Sequence, residues 1–167
     1  MGADSPEIEI GALDGALYVG LGGRATQRTC PTVDRLVNDY LATQPGAPRV
    51  VIDLLGCEWV DSTFAGWLLA MQKRFQRVPG ARLELANCGE RCRASLRKMQ
   101  LGELFSLVDA DPPEACRPIH CSTTDRPTKN DVQLMIAAHE ALASVSADNA
   151  RVFAPIVQIL QQQLQRM

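Results

Sequence analysis

The sequence predicts an α/β fold in which helices flank a mixed β-sheet, followed by a C-terminal helical hairpin. Three observations carry this. Over residues 8–108, period-two and period-3.6 apolar patterns alternate in the order β-β-α-β-α-β-α. Val50-Val51-Ile52-Asp53-Leu54-Leu55 is one continuous run rich in β-branched residues, the pattern of a central strand covered on both faces. From residue 110 the chain turns Pro-rich, and two apolar helical segments follow. The 167 residues suit one ordinary domain, or a small domain with an extension. With 46% apolar and 22% charged residues the chain can bury a core. Lys and Arg number 17 against 19 Asp and Glu, a net charge of -2, so no positive surplus points to nucleic acid or an anionic membrane. Aromatic residues are 5%, too few for a base-stacking platform.

The elements follow in order. Ile8, Ile10 and Ala12 alternate with Glu9 and Gly11, then Leu17, Val19 and Leu21 alternate again, with the hairpin signal Asp14-Gly15 between. Gly22-Gly23 is expected to end the pair. Residues 30–43 read as a helix with Pro31 in its first turn and Val33, Leu36, Val37, Tyr40 and Leu41 as its apolar stripe. Pro45-Gly46-Ala47-Pro48 breaks it, and the central strand spans 50–55. Asp61 or Ser62 caps a second helix that runs to about residue 77, with Phe64, Trp67, Leu68, Met71 and Phe75 inward. Leu83 to Ala86 is a strand. Cys92, Leu96, Met99 and Leu101 mark a third helical face, and residues 104–108 close the domain.

The expected organisation is an α/β domain at 1–109, a linker at 110–128 with a short strand at 119–122, and a helical hairpin at 129–167. Helices are expected at 129–146 and 149–165, the first opened by a capping box of Thr128 and Asp131, with Pro155 starting or kinking the second. No apolar run approaches the roughly 20 residues that span a bilayer, and the first residues carry no basic and apolar leader, so the expected location is the cytoplasm with six reduced Cys.

The strand-turn-helix at 50–75 resembles the STAS domain family, the family of bacterial anti-sigma factor antagonists. Val51-Ile52-Asp53-Leu54, Val60-Asp61-Ser62-Thr63, Gly66 and Leu68-Leu69 carry the resemblance. Gly23-Arg24-Ala25-Thr26 is similar to the family's turn after its second strand, and Leu83 to Asn87 followed by a basic helix and Leu101-Gly102-Glu103-Leu104-Phe105 is similar to its closing third. The resemblance covers about residues 7–109. The family's pattern has Gly where this chain has Phe64, and Gly returns at 66. A Phe in the first turn is expected to alter the surface beside the serine.

The resemblance implies a STAS-like sheet and a partner-switching protein of transcription regulation, with no catalytic residue, cofactor or metal of its own. It implies phosphorylation at Ser62, with Thr63 as the lesser candidate, by a partner anti-sigma factor that is also a serine kinase. Asp61, Ser62, Thr63, Phe64 and Gly66 form the expected partner-binding set. The residues support a switch in their own right. A serine at a helix start lies near the surface, and a phosphoserine there brings about −1.5 to −2 charge to a place where backbone N–H groups and the helix dipole receive it. Asp61 is expected to cap the helix and orient the hydroxyl. Capping alone also accounts for both residues. The rival readings are a STAS scaffold indifferent to phosphate, and a thiol or metal sensor. Cys88 and Cys92, or Cys116 and Cys121 beside His120, are spaced more loosely than most zinc motifs and read as ordinary thiols. His139 shares a helical face with Val132, Met135, Ile136 and Leu142 and reads as a core or interface histidine. Gly20-Leu21-Gly22-Gly23 lacks the Lys of a phosphate loop.

The first C-terminal helix is apolar on most sides and needs cover on most sides. Its hairpin partner supplies one side. The Pro-rich stretch before it favours a second copy for the rest, so a homodimer through residues 129–165 is expected, leaving the Ser62 face free.

Overall fold

The computed structural model describes residues 7–121 and 126–167. Strands β1 (Glu7–Leu13) and β2 (Ala16–Ala25) form an antiparallel hairpin. Its turn residues Asp14 and Gly15 both have positive φ, 51° and 81°, which a type I′ turn requires. Helix α1 (Cys30–Thr43) precedes β3 (Arg49–Val60), α2 (Ser62–Gln76), β4 (Arg82–Ala86), α3 (Glu90–Lys98) and β5 (Ser106–Val108). Strand β6 (Cys116–Ile119) and helices α4 (Lys129–Ala143) and α5 (Ala147–Gln165) complete the chain. The six-stranded sheet has the order β5-β4-β3-β2-β1-β6. Neighbours from β2 to β5 are parallel, and β1 is antiparallel to both β2 and β6. This is the expected mixed sheet with helices and a C-terminal hairpin. Residues 1–6 of the expected first domain and residue 122 of the expected short strand lie outside the described residues.

Strands β2 and β3 outrun their expected ends. Gly22-Gly23 does not stop β2. The register with β3 shifts between Gly20 and Gly22 and again between Gly23 and Arg24, so the glycines bend the strand instead of ending it. Strand β3 continues past Leu55 to Val60, paired there with β2 alone, because β4 ends opposite Asp53. The result is a two-stranded arm that leads directly into α2.

The two sheet faces are covered differently. Val50, Ile52 and Leu54 face the larger core, which also takes Val33 of α1, Leu68 of α2, Leu96 of α3, Leu142 of α4 and Phe153 of α5. Val51 faces the opposite side with Tyr18, Ala16 and Ala86. The cover there is the stretch expected to be a free linker. It leaves β5 at one edge and enters β6 at the other, and its Ala110 and Cys116 pack on the back-face cluster. The crossing spans roughly 24 Å at the usual strand spacing, which the chain between Val108 and Cys116 covers only when nearly extended. Gly11 leaves room for it. A Cβ there would lie 2.9 Å from the Ala115 carbonyl oxygen and 3.0 Å from the Pro113 ring.

A buried carboxylate anchors this strap. Asp53 accepts from the Tyr18 hydroxyl at 2.7 Å, the Leu55 N–H at 2.8 Å and the Asn87 amide at 3.2 Å. Burial, and then the bond to Asp53, push the Tyr18 phenol above its ordinary range. Asn87 also donates to the Ala110 carbonyl at 2.7 Å and accepts from the Ala110 N–H at 3.2 Å. Its φ of 53° is a conformation that Asn tolerates better than most residues.

The C-terminal helices pack on the chain's own α/β domain. Helix α2 is buried continuously from Thr63 to Leu69, so it is covered by the sheet on one side and by α4 on the other. Val132, Ala138 and Leu142 of α4 are buried, and α5 packs on α4. The α4 faces assigned above to a second copy are therefore occupied by α2 and α5, and the Ser62 side of α2 is not left free. The capping box is the one expected. Thr128 and Asp131 form a capping box, and Ser146 caps α5 through the Asn149 N–H. Helix α5 starts at Ala147 and runs through the exposed Pro155.

The strap anchor makes a stability prediction. Asn87→Ala removes three hydrogen bonds and forces Ala into a left-handed backbone, so it should cost about 2–4 kcal/mol in urea unfolding. Asn87→Gly loses the same bonds without the backbone strain and should cost about 1 kcal/mol less.

Candidate functional site

The site is built where β3 passes into α2. Asp61 is extended, with φ −83° and ψ 174°, and caps the helix. Its Oδ1 accepts from the Phe64 N–H and its Oδ2 from the Gln27 N–H, both at 2.8 Å. Its own N–H donates to the Ala25 carbonyl at 3.0 Å. One residue therefore joins the start of α2 to the last residue of β2 and to the turn at Gln27 that follows it; Gly23, Arg24 and Ala25, expected in that turn, belong to the strand. Burial pushes the Asp61 carboxyl above its ordinary range, against the pull of the Phe64 and Gln27 N–H groups.

Ser62 is the first residue of α2. Asp61 is not the partner of its hydroxyl, and the Asp61 oxygens accept from backbone N–H groups. The partner is His139 of α4, whose Nε2 lies 3.0 Å from Ser62 Oγ. The other ring nitrogen, Nδ1, lies 2.7 Å from the Met135 carbonyl oxygen. A carbonyl can only accept, so Nδ1 carries the proton. In the neutral ring Nε2 is then the acceptor, and Ser62 donates. His139 is only 3% exposed, and its ring centroid lies 5.9 Å from that of Phe153 on α5.

Gly66 sets the approach that makes this contact possible. It lies one turn along α2 from Ser62, on the same face. A Cβ at Gly66 would fall 2.2 Å from the Ala138 carbonyl oxygen, so only Gly lets α4 come this close. Ala138 precedes His139, and the backbone contact at one residue places the imidazole at the next.

Of the five residues expected to bind a partner, Asp61 and Ser62 keep part of their surface, while Thr63, Phe64 and Gly66 are buried. Phe64 does not alter the surface beside the serine. It points into the core, its ring 5.4 Å from that of Trp67, whose indole N–H donates to Asp34 at 2.8 Å. The apolar surface near the site lies instead on the arm. Leu55 is 68% and Trp59 46% exposed, and the Arg24 guanidinium stands 5.9 Å over the Trp59 ring. Spacing pointed to neither residue, because the arm itself was not expected.

The remaining candidates fall into place as structure. Gly20 to Gly23 lie within β2, so they form no phosphate loop. Cys30, Cys57, Cys88 and Cys92 are buried. Cys92 donates to the Cys57 carbonyl at 3.2 Å. The bond between these two side chains pulls the Cys57 thiol down to about 7 and pushes that of Cys92 up. Cys116 packs on the back face of the sheet and Cys121 against the helical core, so the two thiols lie on opposite sides. Among the described residues no group of three or more His, Cys, Asp or Glu is placed to hold a metal ion. A Ser–His pair also invites comparison with a nucleophile and its base. Here the pair lies in the contact between α2 and α4. Two cavities, of about 220 and 520 Å³, lie elsewhere, beside Phe75 and Ser106 and beside Arg93 and Leu107.

A mixed sheet, a helix opened by Asp-Ser at the end of its central strand and the tied turn after β2 together define a STAS-type module. Residues 9–109 match the family model described as Mlab, STAS domain, and the chain belongs to the STAS domain family. No curated protein matches the chain. The strap, β6 and the hairpin lie beyond the matched residues. No helix among the described residues is long and apolar enough to cross a membrane.

The double role of Asp61 is open to measurement. Asp61→Ala should lower unfolding stability by about 1–2 kcal/mol, the usual worth of a helix cap. Asp61→Asn keeps one acceptor oxygen for the Phe64 N–H and should lose less, read from urea midpoints at unchanged slope.

Proposed function

We propose that the protein is a non-enzymatic regulatory module that binds a protein partner, in the manner of an anti-sigma factor antagonist. Its switch is serine phosphorylation at Ser62 by a partner kinase. The observation that supports this best is the placement of Ser62. It opens α2 on the segment that the family match covers, and its hydroxyl takes no part in capping the helix. A phosphate there changes what docks without removing the cap that Asp61 provides. The arm beside it offers a partner Trp59, Leu55 and Arg24 within the same segment of chain. Apolar aromatic surface next to a residue that can become a dianion gives a partner both affinity and a reason to leave.

A STAS scaffold indifferent to phosphate remains the rival reading, because α4 lies over Ser62. One comparison separates the two. The full-length chain recovered from its native cells with its partner should carry phosphate at Ser62 in part of the population, read by intact mass and peptide mapping. Ser62→Ala should keep partner affinity, and Ser62→Asp should weaken it on the order of tenfold or more. Equal affinity for serine, alanine and aspartate at this position would leave only the scaffold.

A further inference from the structure

We propose that the C-terminal hairpin is a built-in cap on Ser62, so that hairpin docking and a phosphate at Ser62 exclude one another. The regulatory meaning of this rests on the reading of Ser62 as the switch residue. The geometry of the cap does not.

The exclusion follows from space and charge. Phosphorylation replaces the proton that Ser62 Oγ gives to His139 Nε2, 3.0 Å away, with a phosphoryl group for which that side of Oγ has no room. The imidazole cannot step back, because Met135 holds Nδ1 at 2.7 Å and Phe153 stands behind the ring. Nor can α4 slide along α2, because Ala138 is in backbone contact with Gly66. Phosphorylation attaches the γ-phosphoryl group of a nucleoside triphosphate to Oγ. The bond to the β-phosphate breaks, the diphosphate leaves with its electron pair, and the hydroxyl proton passes to a base of the kinase. The product is a dianion beside the Asp61 carboxyl and against the buried His139 ring, an arrangement whose partial desolvation is costly. Conversely, the docked hairpin holds the hydroxyl in its hydrogen bond to His139, against α4.

The hairpin can leave as a unit. Its helices are capped by their own residues, through the Thr128–Asp131 box, Ser146, and the Asn149 amide donating to the Leu142 carbonyl at 3.1 Å. Among the described residues its polar ties to the α/β domain are few: Ser62–His139, Lys73–Ser144 at 2.8 Å and Asn149 to the Met99 carbonyl at 2.9 Å.

The test uses the full-length chain. Phosphoserine installed at position 62 by an expanded genetic code is compared with serine by hydrogen–deuterium exchange. Residues 129–165 should exchange faster on the order of tenfold or more, with β3 still protected. Unchanged protection of 129–165 overturns the cap. A second comparison needs no phosphate. Gly66→Ala wedges the hairpin off from the α2 side while adding a good helix former. The thiol introduced by Ser62→Cys should then react with an alkylating reagent on the order of tenfold faster than in the Gly66 background, resolved by peptide. Equal rates overturn the cap as well. Protection of β3 reports whether the Gly66→Ala chain is folded. If it is not, the phosphoserine comparison decides alone. Absence of phosphate from Ser62 in cells would sink the switch reading only, whereas unchanged hairpin protection sinks the cap only.

Discussion

The closeness of α2 and α4 at Gly66 is the constraint on which the C-terminal third of the molecule depends. Two helix backbones can approach this far only where one of them has no side chain. The contact with Ala138 fixes both the distance and the register of α4. Register then decides chemistry. His139 lies over Ser62 because it follows Ala138, and Phe153 backs the ring because α5 returns along α4. A shift of one residue in α4 would rotate the imidazole about 100° away from the serine.

The energies divide into affinity and position. Burying side chains such as Val132, Leu142 and Phe153 stabilises a docked hairpin by about 1.5–3 kcal/mol each relative to exposure. The Ser62–His139 hydrogen bond contributes about 0.5–1.5 kcal/mol. Apolar burial therefore holds the hairpin down, and the serine contact contributes placement more than strength. The back face of the sheet follows the same division. Its apolar cluster is small, and the strap that covers it is placed by Asp53 and Asn87. A buried Asp with four possible acceptor sites, three of them filled, both draws the sheet side chains together and points Asn87 at Ala110.

The fold was legible where the pattern is local. The β1–β2 turn at Asp14-Gly15, the helix at 30–43, the strand containing Val50 to Leu54 and the capping box at Thr128 follow from periodicity and turn chemistry. The strap was not legible, because its task is set by strand order. Only when β5 and β6 lie at opposite edges does a Pro-rich linker have to cross the sheet. The arm was hidden for a related reason. Glycines in β2 signal an end by local rules, and continuous pairing with β3 overrides that signal through bulges. At the site, Asp61 and Ser62 were legible from the helix start. His139 was read as a core or interface residue but not as the partner of Ser62, since nothing local links residues 77 positions apart.

One signal for the hairpin's place did exist in the chain. From Ser62 to Gln72 no residue is charged. A helix with no charge over three turns gains from two covers rather than one. The sheet supplies the first. The first C-terminal helix has the same character, with Val132 to Ala138 free of charge. Two helices, each short of one cover, satisfy one another within a single chain, and no second copy is needed to explain either. Apolar surface alone does not say which faces meet. Gly66 does, because a glycine in mid-helix costs roughly 1 kcal/mol of helix stability relative to Ala, and its place on the Ser62 face is explained by what approaches it there.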